Sequence, residues 1–376
     1  MSVVKVGPLG MPALYEQDGR RITTHSMLKT YLRCPKQTQY KYAERLKKRL
    51  ATRRDKPLKR GTWVHELLEV HYQGGDWKQR HAELTVKFNQ LFDEEKEALG
   101  DLPTECARLM RSYLWHYGAD KSDPFHGWKV LGTEVTFDAV WPDSEDGLDI
   151  YRCRLDLLVE DEYGLMIWDH KTHGQLPDHT TRVLDAASPL YIWAARENGY
   201  AVRGFGWNYV RTKAPTEPKM VYVGKPQQRM SKSAIDTDYP TYARGIKKAV
   251  TEYQYDWRSD ENVVAQLKML KSQRWAAGKT QTSPFFRRDV LEKDDDMIAR
   301  VVAANMRTRD RMHGDYHDFD IVARANDRSC SWCDFKDLCQ VELIGGHSDI
   351  VRRKQFRVGD PLDYYQDQKE VSDGTS

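Results

Sequence analysis

Apolar residues change their spacing along the chain, from helical in the first third to alternating in the middle and back to helical near the end. Val64, Leu67, Leu68 and His71 recur at helical spacing, which predicts a helix over 61–72 ended by Gly74-Gly75. Further helices are expected over 77–99 and 103–117. At Lys129 the pattern changes. Residues 130–137 read as a strand and 143–147 as a turn. Residues 151–160 alternate, with Cys153, Leu155 and Leu157 on one face and Arg152, Arg154 and Asp156 on the other. After a turn at 161–164, residues 165–171 form a third strand. A helix over 189–198 follows, with Ser188 as N-cap, Pro189 in its first turn and Gly199 at its end. A strand over 205–211 completes the run. This order predicts an α/β fold with a mixed central sheet flanked by helices, its helical crossover right-handed.

The flanks are less patterned. Residues 1–21 read as an extended arm, and Ser26 can cap a short helix over 27–31 that delivers Cys34-Pro35. Residues 226–260 are polar and partly helical, and 293–312 form another helix, together an accessory helical region. The tail beyond 346 begins basic (Arg352, Arg353, Lys354) and ends polar and acidic, a composition of disorder. Five segments result: an arm with the first cysteine and a basic run (1–60), a core (61–225), the accessory region (226–325), a cysteine segment (326–345) and the tail (346–376).

Length and composition narrow the chemistry. A chain of 376 residues can bury a full core. It has no apolar stretch long enough to span a bilayer and no apolar run of a secretory signal, so a cytoplasmic setting is expected. There the six cysteines are metal ligands or buried small side chains rather than a disulfide framework. Cys106 and Cys153, without close cysteine neighbours, read as buried. Gly278-Lys279-Thr280 looks like the end of a P-loop, but Gln273 stands where its first glycine belongs, and ATP hydrolysis is set aside. Net charge is only +3, yet Arg45, Lys47, Lys48, Arg49, Arg53 and Arg54 lie in one basic run. Such a run is either a solvated face or a phosphate contact. Its place just before the first candidate site segment favours contact with DNA.

Two constellations carry chemistry. Asp156 and Asp169-His170-Lys171 place two carboxylates at neighbouring strand ends, a hard-ligand pair for magnesium or manganese. Lys171 shares a strand face with Asp169 and can offset phosphate charge. His65, with Glu69 one turn on, can add an imidazole, and Glu134 another carboxylate. The second constellation is Cys330-x2-Cys333-x5-Cys339 with the distant Cys34, a soft thiolate set for an iron–sulfur cluster or for zinc.

Gly-x-x-x-His-x-x-x-Glu from Gly61, then Arg154-Leu155-Asp156, then Trp168-Asp169-His170-Lys171-Thr172, then a tyrosine-bearing helix, resemble the RecB-like branch of the PD-(D/E)xK nucleases. The resemblance implies a restriction-endonuclease-like core, with His65, Asp156 and Asp169 as metal ligands, Lys171 catalytic and Tyr191 in the helix motif. Ala187 stands where that family carries a glutamine; Asp185 or Ser188 can take its part. The cysteines resemble the split iron–sulfur site of AddB-type helicase–nucleases and CRISPR-adaptation exonucleases, which implies a [4Fe–4S] cluster on Cys34, Cys330, Cys333 and Cys339 clasping the two ends of the chain. The expected function is a metal-dependent exonuclease acting on single-stranded DNA ends, in a bacterial or phage-infected cell, with recombination or replication proteins as partners. The alternative is a catalytically weak iron–sulfur DNA-binding subunit of a recombination or replication complex.

Overall fold

Strict alternation of buried and half-buried positions runs from Leu131 to Ala139, and it marks one of the long strands at the centre of the fold. The computed structural model describes residues 15–117, 128–161, 163–222, 228–230, 235–274, 283–318 and 322–365. The first fourteen residues, the Gly278-Lys279-Thr280 segment and the end of the tail from 366 lie outside them. The strands are β1 (Glu16–Gln17), β2 (Arg20–Thr23), β3 (Leu46–Lys48), β4 (Lys129–Val140), β5 (Asp149–Asp161), β6 (Gly164–His173), β7 (Val202–Arg211), β8 (Met220–Tyr222), β9 (Gln228–Met230), β10 (Phe286–Glu292) and β11 (Phe356–Val358).

Seven of these strands build one mixed sheet in the order β1-β2-β5-β6-β7-β10, with β4 on the other edge of β5. The meander β4-β5-β6 is antiparallel. The helix Ala187–Glu197 then crosses over to β7, which runs parallel to β6. Helices cover both faces. Ala187–Glu197, His25–Arg33 and Asp295–Asp318 close a core of β4, β5 and β7 side chains that includes Phe137, Cys153, Leu155, Phe205 and Trp207. Lys56–Tyr72, Trp77–Asn89 and Leu102–Tyr117 pack on the other face, around Leu67, Leu68, Met110, Val210 and Phe286. Cys106 and Cys153 are fully buried. Gly206 pairs with Trp168 across β6 and β7, and an added Cβ there would meet the indole at 2.5 Å, so the bare glycine lets that ring lie against the sheet.

Several expectations need correction. The end of the arm is part of the sheet, because β1 and β2 form a hairpin whose second strand pairs parallel with the start of β5. Thr24, not Ser26, caps the first helix. The helix expected over 77–99 breaks into Trp77–Asn89 and Asp93–Leu99. Ser188 is not the N-cap of its helix; the Asp185 carboxylate accepts its backbone N–H at 2.8 Å. Within the region read as accessory and helical, β10 is an edge strand of the central sheet. The first part of the tail is folded: the helix Ser348–Gln355 leads into β11, which pairs antiparallel with β3 in the basic run, and the rest of the expected disorder lies outside the described residues.

Candidate active site

Three strands compete for β5, and the site lies where they leave it unpaired. Leu157 pairs with Thr133 of β4 on one edge and Trp168 of β6 on the other. Ile150 pairs with Val140 of β4 and Ile22 of β2. Thus β2 and β6 share one edge of β5, and the ladder to β6 stops just before Asp156 and Asp169. β6 itself continues beside β7 to His173. The facing alternation also slips here. Cys153, Leu155 and Leu158 belong to one core, whereas Leu157 and Val159 pack with Met166 and Trp168 in a separate cluster on the other side. Leu157 therefore does not share a face with Cys153 and Leu155, as strict alternation predicts.

The Asp156 carboxylate fills the break. Its Oδ2 accepts the backbone N–H of His170 at 2.6 Å, where a ladder carbonyl would otherwise serve. His65 reaches the same oxygen from the Lys56–Tyr72 helix, Nδ1 to Oδ2 3.4 Å. That helix approaches closely because Gly61 faces Thr172, whose Oγ1 would lie 3.2 Å from an added Cβ. From β4, Glu134 completes a set of three whose ligand atoms lie within 4.8 Å of one another, the one such set among the described residues. Glu134 has a left-handed backbone (φ 53°) inside a strand, a costly conformation for a non-glycine residue of the kind found at functional sites. Arg154 holds its carboxylate at 2.7 Å.

Asp169 and Lys171 enter the gap from the opposite face of the sheet. Lys171 Nζ lies 2.8 Å from Oδ1 and 2.6 Å from Oδ2 of Asp169. Asp169 is 8 % exposed and Lys171 45 %, so the lysine is the member of the pair that can meet a substrate. Asp169 stands outside the tight three-residue set. Tyr191 lies on the layer that Lys171 faces, half-buried with its ring 6.0 Å from Phe205. Ala187 begins the same helix, and Asp185 just before it contributes to the negative field around Lys171.

Electrostatics follow from crowding. Crowding at the break lowers the pKa of Lys171, but Asp169 and Asp156 outweigh it and hold the ammonium charged well above its ordinary value. Burial pushes Asp169 up to about 6 against the pull of Lys171. Burial and the Asp156 charge push Glu134 up to about 7. Asp156 is driven the other way: burial opposes its ionisation, but His65 prevails and keeps it well below the carboxylate range. His65 is raised, since Asp156 outweighs burial. Three acids that cannot all ionise comfortably, beside one imidazole, form a site whose charge a divalent cation would balance.

His170 turns away from the acids, as its place between two same-face residues requires. Burial lowers it to about 3, a neutral ring. It stacks on Tyr72 at 5.5 Å, and its Nδ1 lies 2.9 Å from the Asn208 amide. Asn208 in turn donates to Tyr113 Oη at 2.7 Å, and Arg288 of β10 donates to the same oxygen at 3.1 Å. This buried polar support behind β6 had no signature in the sequence, because Tyr72, Asn208, Tyr113 and Arg288 come from four different elements.

The basic run divides on inspection. Lys47 pairs with Asp363 at 2.6 Å, and Lys48 with Asp55 at 2.6 Å and Asp334 at 2.9 Å. The Arg45 guanidinium lies over the Tyr15 ring at 5.2 Å. Arg49, Arg53 and Arg54 are exposed and form no ion pair among the described residues. The four cysteines meet at one junction. Ala325 N–H donates to Cys34 Sγ at 3.5 Å, and Cys330 Sγ donates to Ala325 O at 3.4 Å. Cys339 bonds Arg324, and burial raises the Cys333 thiol with Cys34 and Cys330 adding to the shift.

Among the described residues, no helix is long and apolar enough to cross a membrane. No curated protein matches the chain. Among solved structures, one titled "Crystal structure of SSO0001" is similar at 12 % identity and a TM-score of 0.24, covering 67 % of this chain and 87 % of that one. Residues 23–340 match the profile of the PD-(D/E)XK nuclease superfamily, a span that holds the split strand, the acids, Lys171 and the four cysteines. The chain belongs to the PD-(D/E)XK nuclease superfamily.

Proposed function

We propose that this nuclease is a DNA exonuclease that works on single-stranded ends and uses magnesium or manganese. The observation that carries the reading is the convergence of His65, Glu134 and Asp156 within 4.8 Å, at a strand break that also admits Asp169 and Lys171. One imidazole and two carboxylates fit a hard divalent cation, with Asp169 available beside them. A bound cation would supply Lewis-acid stabilisation of the charge that develops on a phosphodiester.

The chain's own residues do the rest. Lys171, held protonated, offsets phosphate charge rather than accepting a proton. Asp169 orients it. The His170 N–H fixes Asp156, and Arg154 fixes Glu134. Tyr191 shapes the layer that Lys171 faces. Joined chain ends around the core narrow the approach, which favours a single strand over a duplex. Substrate partners would then be DNA with free ends, with recombination or replication proteins in attendance.

We also propose a [4Fe–4S] cluster on Cys34, Cys330, Cys333 and Cys339. Four thiolates drawn from both ends of the chain are the ligand set such a cluster takes. The test of the enzyme reading is cleavage of end-labelled linear single strands, duplexes and circular single strands with and without chelator. Metal-dependent shortening of linear single strands, with circles spared, is expected. Cutting of circles would replace the exonuclease with an endonuclease.

A further inference from the structure

Outside the metal site, a cavity of about 590 Å³ opens between the two ends of the chain. One wall is the end of the basic run, with Arg49, Arg53 and Arg54. The other comes from the C-terminal segment, with Lys336 at the start of one helix and Lys354 in the last turn of the next. All five are exposed, and none forms an ion pair among the described residues. Of the acids on the lining, Asp334 is already paired with Lys48, which leaves Asp337 against five cations. A chain whose net charge is +3 thus sets five cations against one acid around one hollow. Only one of the four clustered cysteines, Cys333, touches it, so it is not the space a cluster on all four would fill.

We infer that this cavity seats the phosphodiester backbone of a single strand on its way to the metal site, an inference that rests on the nuclease reading above. Arg53 and Arg54 immediately precede the Lys56–Tyr72 helix, which carries His65 nine residues from its start. At about 1.5 Å per residue that separation is roughly 14 Å. A stacked strand rises about 3.4 Å per nucleotide, so the cavity holds the substrate about four nucleotides from the bond to be cut. Nucleotides nearer the bond do not reach it. Substrates longer than about four nucleotides therefore gain affinity from the cavity, whereas shorter ones gain none.

The experiment uses the full-length protein and its Lys336→Ala/Lys354→Ala variant, neither residue belonging to the metal site. Binding of a labelled 20-nucleotide single strand is followed by anisotropy across a salt series, and KM and kcat are measured for 20- and 4-nucleotide substrates. Two lost phosphate contacts lower the salt slope by about 1.4, which is about 25-fold in affinity near 0.1 M salt. KM for the long substrate should rise with kcat kept, KM for the short one should not move, and Lys336→Arg/Lys354→Arg should restore binding. Unchanged affinity and slope, or equal losses on both lengths, would overturn the inference. Displacement of the long strand by a mononucleotide at similar concentration would overturn it too, making the cavity a nucleotide pocket. If wild type cleaves while the variant is indistinguishable from it, the cavity assignment alone falls. If wild type neither binds nor cleaves any nucleic acid, the nuclease reading falls first.

Discussion

Lys171 and Glu134 stand on opposite sides of one charge balance. The lysine is kept protonated by acids on both sides, so its contribution is a fixed positive charge. Glu134 is half-titrated near neutrality, at about 7, because burial and the Asp156 charge both resist its ionisation. A cation must displace that proton before it can be bound by all three ligands. Affinity for Mn²⁺ should therefore rise with pH through about 7, with His65, also held protonated by Asp156, adding to the rise. In Glu134→Gln the rise should be smaller, and the remaining dependence comes from His65, whose proton Asp156 holds above its ordinary value and a cation must also displace. Calorimetric titration with Mn²⁺ across that range checks this, and identical pH profiles for the two proteins would remove Glu134 from the ligand set.

The elements explain both what could be read ahead of the structure and what could not. β4, β6 and β7 announced themselves because each is a long strand with a regular pattern. The slip in β5 is invisible in the sequence, since Leu155, Leu157 and Leu158 are all apolar and fit either face. The strand β10, Phe-Arg-Arg-Asp-Val-Leu-Glu, reads as polar because it is an edge strand whose arginines reach partners beyond it, Arg287 to Pro177 O and Arg288 to Tyr113. β2 is only four residues, and its parallel pairing is long-range. His65, Asp156, Asp169 and Lys171 were legible through motif order, whereas Arg154, Asn208 and Tyr113 act through contacts that no spacing encodes. The joined ends were legible only as four cysteines, yet Glu342 binds them without any metal. It accepts from Tyr40 at 2.6 Å and pairs with Lys36 at 3.0 Å, Arg324 at 3.3 Å and Arg352. Burial opposes its charge, but these partners hold it down at about 2. A depressed carboxylate stabilises the fold fully above its ordinary value of about 4.3 and loses that effect as pH falls toward 2. Glu342→Gln should thus melt below wild type at neutral pH, with the gap closing as pH drops from about 4.5. A gap that stays constant with pH would mean that charge at Glu342 contributes nothing.

At the scale of the whole molecule, a sheet that opens at its middle is held by chain ends that close on each other. The ribbon of β3 and β11, the Glu342 cluster and the cysteines all span that junction. A cluster joining Cys34 to Cys330 closes a loop of nearly the full chain, whose unfolded-state entropy is correspondingly large. Cys34→Ala should then lose iron and thermal stability together with Cys330→Ala, Cys333→Ala and Cys339→Ala, whereas Cys106→Ala and Cys153→Ala should keep iron. Iron and zinc counts on anaerobically purified protein decide it, and stoichiometric zinc without iron would replace the cluster. The central claim, however, is that the split between β5 and β6 is a metal-dependent cutting site with Lys171 as its fixed charge. Its most direct test is single-turnover cleavage of a linear DNA single strand by wild type and Lys171→Ala, with Mn²⁺ affinity measured on both. Loss of one such charge-stabilising group costs about 10²- to 10³-fold in rate. The account predicts a loss of that order in Lys171→Ala, abolition by chelator in wild type, and Mn²⁺ binding retained in the variant. Cleavage that persists without metal, or at full rate without the Lys171 ammonium, would contradict it.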